Sequence, residues 1–226
     1  MLIIAMLAIP TMAQDNNTRT IHVTGSGTAY GSPDTAYVEV GVDMLDKDFA
    51  VAFNSTSKAV DTVLAAMKEL GIKAEDIQTT SINVWWEDEY DRDGNSTGVR
   101  KYHVSQSMQI VVRDINQIES VITTAVENGA NQIYGLNFGM SETTELEADA
   151  RSQAVADGRA RAENLAQLLG VEWGDPISIT ELNNGANPIN TGGGGGGIAY
   201  DKVQSMAVSP GQLSVNVSVD IVYAMK

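Results

Sequence analysis

The stretch from residue 141 to residue 170 constrains the fold more than any other part of the chain. Its apolar and small residues recur every third or fourth position, which predicts one long helix, and Gly170 stands where helices often end. One row at a spacing of four contains only small residues: Ala150, Ala154, Gly158, Ala162 and Ala166. Because small side chains let a helix axis approach a sheet closely, we expect this row to lie against a β-sheet.

The other positions of this helix indicate which sides are buried and which face water. The broad apolar arc around the small row also takes in four leucines: Leu146, Leu165, Leu168 and Leu169. The opposite arc is polar: Asp149, Gln153, Asp157, Arg159, Glu163 and Gln167. We expect the first set to be buried and the second set to be exposed.

Charged and capping residues refine this helix. Thr144 and Glu147 have the spacing of a capping box, with Ser141 as the alternative N-cap. Glu147 and Arg151 fall inside the apolar arc, where they form either an intrahelical pair with solvent-reaching heads or a pair that contacts a partner or ligand. We favour the intrahelical pair. Further i,i+4 pairs, each worth about 0.2–0.5 kcal/mol, are Asp157/Arg161 and Arg159/Glu163.

Composition limits the classes of function. The chain has 226 residues, of which 43% are hydrophobic, enough for one domain or two closely joined lobes. Its net charge of −15 makes general nucleic-acid binding and binding to anionic membranes unfavourable. It has no cysteine, which excludes disulfides, thiolate metal sites and cysteine nucleophiles.

Residues 1–13, MLIIAMLAIPTMA, have the apolar run and small final residue of a secretory signal, with cleavage predicted after Ala13. The usual Lys/Arg segment is missing, so either the true start lies upstream or the signal is unusual. An apolar N-terminus that frays is the alternative. The run is too short to span a bilayer, and no later apolar run reaches about 18 residues. We expect a soluble mature chain from about Gln14, without a membrane span.

Helical patterns cover two further stretches. The first, residues 48–70, ends before Gly71 and has eight positions that are predicted to face inward: Phe49, Ala52, Phe53, Thr56, Val60, Val63, Leu64 and Met67. The second, residues 114–128, is capped by Asp114 and ends before Gly129. Its inward positions are Ile115, Ile118, Ile122, Ala125 and Val126.

Strand patterns cover residues 21–30, 35–43, 77–86, 101–113, 132–140, 176–182 and 213–223. The first two flank a turn at residues 31–34, which predicts a half-buried antiparallel hairpin. Residues 101–113 alternate strictly, which predicts one buried and one exposed face. Ile82, Val84 and Trp86 share a face, and Trp85 points the other way. These patterns predict an α+β fold in which antiparallel sheets pack against three main helices.

Three glycine-rich or acidic segments resemble ligand-binding loops only superficially. Gly25-Ser26-Gly27 precedes a strand and lacks the G-x-G-x-x-G spacing, so we reject a nucleotide site. In residues 87–98, Glu89, Asp91 and Asp93 match calcium-loop positions, but Arg100 occupies the twelfth, so a solvated hairpin loop is favoured. Residues 183–199, with six consecutive glycines, predict a flexible surface loop, and residues 198–208 add a short strand.

No motif predicts reactive chemistry. His22 and His103 are the two histidines, and each lies in a strand pattern without an evident catalytic partner. The H-E-x-x-H, G-x-S-x-G and Walker patterns are absent from the sequence. We therefore predict no catalytic, cofactor-binding or metal-binding residues and no cofactor.

Three stretches together resemble the SIMPL-domain family. They are residues 23–42, VTGSGTAYGSPDTAYVEVGV; residues 148–170, A-D-A-R-x-x-A-x-x-D-G-R-x-R-A-E-x-L-A-x-x-L-G; and residues 210–223, PGQLSVNVSVDIVY. Gly158 stands where relatives often carry Ala. The resemblance implies an α+β fold and, in bacteria, secretion to the periplasm or outer envelope. It also implies kinship with periplasmic immunogenic proteins and with proteins linked to oxidative-stress tolerance, some of which form large ring- or channel-like oligomers. Eukaryotic relatives act as signalling adaptors, and the family has no agreed catalytic residues to carry over.

From the residues and the resemblance, we expect a non-enzymatic, self-associating protein of the periplasm or outer envelope. We expect a homo-oligomer with a role in envelope or oxidative-stress tolerance and no nucleic-acid partner. An envelope protein partner is left open and is not identified by the sequence. The alternative is a periplasmic binding protein for a small ligand or lipid, which needs an apolar cavity. The third hypothesis is an uncharacterised enzyme.

Overall fold

The computed structural model describes residues 19–182, 189–190 and 209–226, which form two compact units. In chain order its helices and strands are β1 (Thr20–Gly31), β2 (Thr35–Asp46), α1 (Phe49–Glu69), β3 (Ile77–Tyr90), β4 (Ser96–Val112), α2 (Ile118–Glu127), β5 (Gln132–Gly139), α3 (Thr144–Leu169), β6 (Trp173–Leu182), β7 (Ile189–Asn190) and β8 (Leu213–Met225). The predicted α+β class with antiparallel sheets is confirmed.

The α1–α2 unit contains a sheet with the strand order β3-β4-β2-β5. Strand β2 is central and pairs antiparallel with both β4 and β5. Its core is made of branched and large side chains, many of them fully buried: Val38, Val40, Val42, Val63, Met67, Met108, Ile110, Val112, Ile118 and Val121. Interdigitation of large side chains therefore joins helices to sheet in this unit.

The α3 unit contains most of helix α3 and most of a sheet with the order β1-β8-β6. Strand β7 pairs with the start of β8. The predicted small row is buried throughout: Ala150, Ala154, Gly158, Ala162 and Ala166. A Cβ placed on Gly25 would lie 2.1 Å from the Ala154 carbonyl oxygen, and one on Gly27 would lie 2.0 Å from the Ala150 carbonyl oxygen. The prediction of close approach is confirmed, and the two strand glycines contribute to it as much as the helix does.

The arc predicted to be buried on α3 is too wide. Leu165, Leu168 and Leu169 are 40%, 75% and 65% exposed, respectively. The backbone contact at Gly25 and Gly27 leaves only the small row within reach of the sheet, so the neighbouring leucines lie beside the contact. Periodicity indicates the apolar side of a helix but not the width of the surface that covers it.

The N-terminus of α3 also differs from the predicted capping box. The helix begins at Thr144, so this residue lies inside the first turn. The Glu142 carboxylate accepts hydrogen bonds from the backbone N–H groups of Thr143 and Thr144. Ser141 donates its N–H and hydroxyl to the Asp34 carboxylate, at 2.8 and 2.6 Å. Acidic residues thus bind the first N–H groups, as the helix dipole favours.

Arg151 interacts electrostatically with Glu147, as the predicted intrahelical pair requires, and it also contacts a second carboxylate. Its guanidinium donates two hydrogen bonds to the Glu181 carboxylate on β6, at 2.7 and 3.1 Å. The predicted pair Asp157/Arg161 is confirmed, at 3.0 Å. The sequence could not indicate Glu181, because it lies thirty residues from Arg151 and belongs to a strand.

The predicted hairpin of the first two strands is wrong. Strand β1 lies beside β8, whereas β2 lies between β4 and β5 in the other sheet. The turn residue Asp34 bonds to Ser141 and donates its N–H to the Gly139 carbonyl at the end of β5. Strong alternation in β8 and a complementary apolar strand β4 therefore outweigh the short connection between β1 and β2.

The helix ends were predicted well. Gly71, Gly129 and Gly170 follow the three helices with φ of +92°, +114° and +66°, the left-handed conformation in which glycine is unstrained. Within α2, Ile118 and Ala125 are buried as predicted, but Val126 is 49% exposed and Val121 is buried instead. The short 3-10 turn Ile115–Gln117 precedes α2, so the α-helix itself begins only at Ile118.

Strand β4 is not one-sided as predicted. Ser105 and Ser107, assigned to the exposed face, are both 4% exposed. Ser107 forms a hydroxyl–hydroxyl bond with Ser81 of β3, and the Ser105 hydroxyl lies 3.4 Å from the Tyr134 hydroxyl of β5. Neighbouring strands cover this face, and paired hydroxyls satisfy the buried serines. The predictions for residues 1–13 and 183–199 and for the strand at 198–208 lie outside the described residues, apart from β7.

Candidate functional site

An apolar surface continues from the core of the α1–α2 unit onto strand β3. Ile82, Val84 and Trp86 are 60%, 51% and 52% exposed. Val84 pairs in register with Val104, which is 1% exposed, so the three side chains share the face of the sheet that α1 covers further along. The predicted common face is confirmed, and it lacks the cover that the neighbouring strand has.

Two phenylalanines of α1 extend this surface. Phe49 and Phe53 are 44% and 45% exposed, and their rings lie 5.8 Å apart. Phe49 also contacts Tyr102 of β4 edge-on at 6.1 Å. The prediction that Phe49, Phe53 and Leu64 are buried is wrong, since Leu64 is 36% exposed. We call these exposed residues, together with the half-buried Tyr102, the β3 face: Phe49, Phe53, Ile82, Val84, Trp86 and Tyr102.

Strand β3 is at one end of the strand order, and among the described strands it pairs only with β4. The backbone groups of its outer side therefore point away from that sheet. An edge strand of 14 residues with large apolar side chains is a template for pairing with another strand. The β3 face and the β3 edge thus offer apolar area and a hydrogen-bonding ladder together.

Charged residues border the β3 face. The Arg100 guanidinium lies 3.9 Å from the centre of the Trp86 ring, and its Nε lies 3.7 Å from Asp88. On the opposite side of the hairpin, Lys101 donates to Glu89 at 2.8 Å, and this hydrogen bond lowers the pKa of Glu89 below its usual range. The border therefore has charges of both signs, which is typical of the rim of a protein interface.

The acidic segment 87–98 is mostly strand, which corrects the predicted loop. Strand β3 continues to Tyr90 and β4 begins at Ser96. In the turn, the Asp91 carboxylate accepts from the N–H groups of Asp93 and Asn95, and the bond from Asn95 lowers the pKa of Asp91. Asp91 thus stabilises a hairpin turn. Among the described residues, no group of three or more His, Asp or Glu side chains could hold a metal ion.

His103 packs between two carboxylates on the side of the hairpin opposite the β3 face. Its Nδ1 lies 3.2 Å from Asp43, and its Nε2 lies 3.6 Å from Glu87. The Trp85 ring stacks on the imidazole at 4.6 Å with an angle of 6°. Trp85 points away from Trp86, as predicted. His22 lies at an exposed position of β1. The two histidines belong to different units.

No described helix is both long and apolar enough to cross a membrane.

Comparison with known proteins decides the family. The model of the SIMPL family, described as a protein of unknown function (DUF541), matches residues 21–223. The chain belongs to the SIMPL family. The match covers both units, and it confirms the resemblance drawn from the three sequence stretches.

Among its relatives, the SIMPL chain is similar to the 26 kDa periplasmic immunogenic protein of Brucella melitensis, with 31% identity over all of this chain and 94% of that protein. It is also similar to the uncharacterized protein YggE of Edwardsiella ictaluri, with 29% identity over 70% of this chain and 66% of that protein. A more distant relative is the interleukin-1 receptor-associated kinase 1-binding protein 1 homolog of Oncorhynchus mykiss, with 22% identity over 74% of this chain and 66% of that protein. The name of the Brucella relative confirms the predicted periplasmic location.

The structure gives physical roles to the residues that carry the SIMPL resemblance. Gly25 and Gly27 of the first stretch touch the backbone of α3, whose small row belongs to the second stretch. The third stretch supplies β8, where every second side chain from Leu213 to Tyr223 is buried. Most of the motif residues therefore build the α3 unit, whereas residues 35–42 belong to β2 of the other unit. Sequence reasoning missed the β3 face, because the exposure of Phe49 and Phe53 depends on the distance of α1 from β3.

Proposed function

We propose that this SIMPL protein is a non-enzymatic periplasmic protein that associates with copies of itself through the β3 face. The observation that carries this proposal is an exposed apolar strand, β3, at the edge of a sheet whose core it continues. Ile82, Val84 and Trp86 are each more than half exposed. Exposed apolar surface of this kind, bordered by charges, commonly marks a protein–protein interface.

A second copy of the chain fits this surface for two reasons. An antiparallel pair of β3 strands related by a two-fold axis would bury the same side chains on both copies and satisfy the outer ladder of each. Charges of both signs at the border, Asp88 and Arg100 among them, allow pairing across such an axis.

The proposal of a non-enzymatic role rests on how the described titratable groups are used. His103 lies between Asp43 and Glu87 and is covered by Trp85, so its two nitrogens already face carboxylates. Asp76 is occupied by Arg113. These contacts stabilise strands and engage both groups within the fold.

A role in tolerance of oxidative stress is a proposal that the family resemblance alone supports. It would be tested in the source bacterium by deleting the gene and measuring survival in hydrogen peroxide. Reduced survival that the wild-type gene restores would support the role. Equal survival of the two strains would contradict it.

The mass of the assembled protein tests self-association. Light scattering after size exclusion should give a multiple of the chain mass for residues 14–226, and Val84→Lys should reduce it. Lysine on an edge strand opposes pairing because its charge must be desolvated. Leu168→Lys, a matched change at an exposed leucine of α3, should leave the mass unchanged.

Two results would contradict the proposal. One is a monomer for the wild-type chain at concentrations up to about 1 mM, where even weak assembly is populated. The other is loss of assembly in Leu168→Lys with retention in Val84→Lys. Circular dichroism of each variant establishes that a change in mass does not come from unfolding.

A further inference from the structure

The backbone N–H groups on the outer edge of β1, in the α3 unit, meet hydrogen-bond acceptors over only part of the strand. Among the described strands, β1 has one neighbour, β8. Their order is antiparallel, because Arg19 contacts Met225, Thr24 contacts Asp220 and Thr28 contacts Asn216. The Met225 N–H bonds to the Arg19 carbonyl, so odd-numbered residues of β1 pair with β8. The N–H groups of even-numbered residues therefore point to the outer edge.

Helix α3 supplies hydrogen-bond acceptors to two of these outer N–H groups. The Ser26 N–H donates to the Asp157 carboxylate at 2.9 Å, and the Thr28 N–H donates to the Gln153 side-chain oxygen at 3.3 Å. The bond from Ser26 is the largest cause that lowers the pKa of Asp157 below its usual range. Side chains of the helix thus occupy the place of a missing neighbouring strand.

The spacing of helix and strand predicts which residues come next. Four residues of helix rise about 6.0 Å, and two residues of strand advance about 6.6 Å, so the two rows stay nearly in step. After Thr28/Gln153 and Ser26/Asp157, the next positions are Thr24 with Arg161 and then His22 with Leu165. A guanidinium has only donors, and a leucine has neither donor nor acceptor. The row of acceptors on the helix therefore ends at Asp157.

A surface groove lies at the point where the acceptors end. Its volume is about 590 Å³, and its lining joins β1 to α3: Val23, Thr24, Ala160, Arg161, Asn164 and Leu165. Val23, Ala160 and Leu165 form an apolar part, whereas Arg161 is a cation with 55% of its side chain exposed. The groove thus combines a strand edge, an apolar surface and one positive charge.

We propose that this groove binds an extended peptide that ends in a free carboxylate, with the peptide backbone adding to the β1 edge at Thr24. The terminal carboxylate accepts hydrogen bonds from the Thr24 N–H and the Arg161 guanidinium. Asp157 already shows this arrangement one step along, because it accepts from the Ser26 N–H and from Arg161 at 3.0 Å. In the proposed complex, the terminal carboxylate of the peptide accepts hydrogen bonds from a β1 N–H and from Arg161, as the Asp157 carboxylate does within the chain.

The remaining lining sets the preferred last residue of the peptide. An apolar side chain next to the carboxylate would lie against Val23, Ala160 and Leu165. The Asn164 amide, with donors and an acceptor, can bond to the peptide backbone. Because main-chain bonds give affinity and the groove selects one side chain, binding should depend mainly on the terminal residue. This site is independent of the β3 face and of self-association.

Fluorescence anisotropy with the chain of residues 14–226 tests the proposal. The probe is a library of fluorescein-labelled pentapeptides with mixed first four positions and Ala, Val, Leu, Ile or Phe last. Each is made with a free C-terminal carboxylate and with a C-terminal amide. We expect the free acids to bind with a Kd between about 1 and 100 µM, and the amides to bind at least about tenfold more weakly.

Variants locate the site. Arg161→Gln should weaken binding of the free acids about tenfold or more, because a charge-assisted bond is lost. Arg159→Gln, two residues away on the side of α3 near Trp173, is the matched control and should bind like the wild type. Thr24→Pro removes the outer N–H without removing a bond to β8, so it should abolish binding, whereas Thr24→Val should retain it.

Several results would overturn the proposal. They are equal binding of acids and amides, unchanged binding in both Arg161→Gln and Thr24→Pro, and absence of binding by every peptide up to about 1 mM. Full competition by decanoate at the same concentration would indicate a simple carboxylate site without strand addition. Binding that requires removal of residues 14–18 would assign the groove to the chain's own N-terminal segment. Circular dichroism and thermal unfolding establish that each variant is folded.

Discussion

The two units cover one face of a sheet with helix in opposite ways. In the α1–α2 unit, fully buried residues such as Val63, Met67 and Ile110 fill the space between helices and strands. In the α3 unit, alanines and glycines bring backbone against backbone, as at Gly25 and Ala154. The first unit is stabilised by burial of large side chains, and the second by the close backbone contact that its small residues allow.

The difference predicts opposite sensitivity to mutation. A core filled by large side chains is damaged when atoms are removed, because a cavity remains. A contact between backbones is damaged when atoms are added, because neither backbone can move aside at low cost. The following predictions test this contrast, from the largest expected effect to the smallest.

Gly25→Val should have the largest effect. Its Cβ would lie 2.1 Å from the Ala154 carbonyl oxygen and 2.6 Å from the Gly158 nitrogen. We expect the free energy of unfolding of the α3 unit to fall by at least about 4 kcal/mol, because α3 must move off the sheet. Hydrogen exchange of the β8 amides and Trp173 fluorescence in urea measure this effect.

Gly135→Val is the control for that change. Gly135 lies in a strand of the other unit, where a Cβ would meet nothing within 4 Å. It should alter stability by less than about 1 kcal/mol. A small effect at Gly25, or equal effects at the two glycines, would contradict the idea that close backbone approach stabilises the α3 unit.

Ile110→Ala should destabilise the α1–α2 unit by about 3 kcal/mol. Ile110 is fully buried, so the truncation leaves a cavity in addition to the lost apolar burial. Urea unfolding followed by Trp85 and Trp86 fluorescence would measure the loss. Ile133→Ala, at a residue that is 40% exposed in the same sheet, should cost less than about 1 kcal/mol. A similar loss in both variants would show that volume is not what stabilises this core.

Asp76→Asn should make the stability of the α1–α2 unit less dependent on pH. The Arg113 guanidinium donates three hydrogen bonds to the Asp76 carboxylate, the shortest at 2.6 Å, and lowers its pKa from 3.8. A lowered pKa contributes stability that is complete above the unfolded pKa and is lost as pH falls through the folded pKa. The wild type should therefore exceed the variant at neutral pH, and the difference should shrink below about pH 4.

Urea midpoints of both proteins measured from about pH 7 to about pH 2.5 check the sign of this effect. Arg113 is more than half exposed, so salt should reduce the difference at neutral pH as well. A difference that stays constant over the whole range would show that ionisation of Asp76 does not contribute.

Asp157→Ala should have the smallest effect, on the order of 1 kcal/mol, because it removes one acceptor at an edge that water can reach. Exchange of the Ser26 amide hydrogen should accelerate more than exchange of the β8 amides. Glu163→Ala on the same helix is the control and should leave the Ser26 amide unchanged. Equal rates for Ser26 in wild type and Asp157→Ala would contradict the role of α3 in closing the β1 edge.

Local patterns in the sequence predicted where the helices and strands lie better than they predicted which strands pair. The glycines after the three helices were assigned correctly because a left-handed residue has a strong compositional preference. Asp48 caps α1, as the predicted start of that helix requires. The hairpin of β1 and β2 was predicted wrongly because the short connection between the two strands was taken as evidence that they pair. Pairing depends on which distant strand offers a complementary face, and a single sequence carries little information on that choice.

The candidate sites were hidden for the same reason. Phe49 and Phe53 carry the correct spacing for burial, yet the sheet beneath them is uncovered at β3. Gln153 and Asp157 read as solvent-facing residues, yet each accepts a hydrogen bond from the β1 edge. In both cases the residue type is explained only by a neighbour that is more than thirty residues away.

The sequence by itself determined the α+β class, the ends of the helices, the small row of α3 and membership in the SIMPL family, because these depend on spacing and composition along the chain. The tertiary structure decided the partners of β1 and β2, the exposure of the β3 face and the end of the acceptor row beside Thr24. The physical reason is that periodicity specifies which side of an element is apolar or polar, whereas packing between distant segments decides how much of that side is covered.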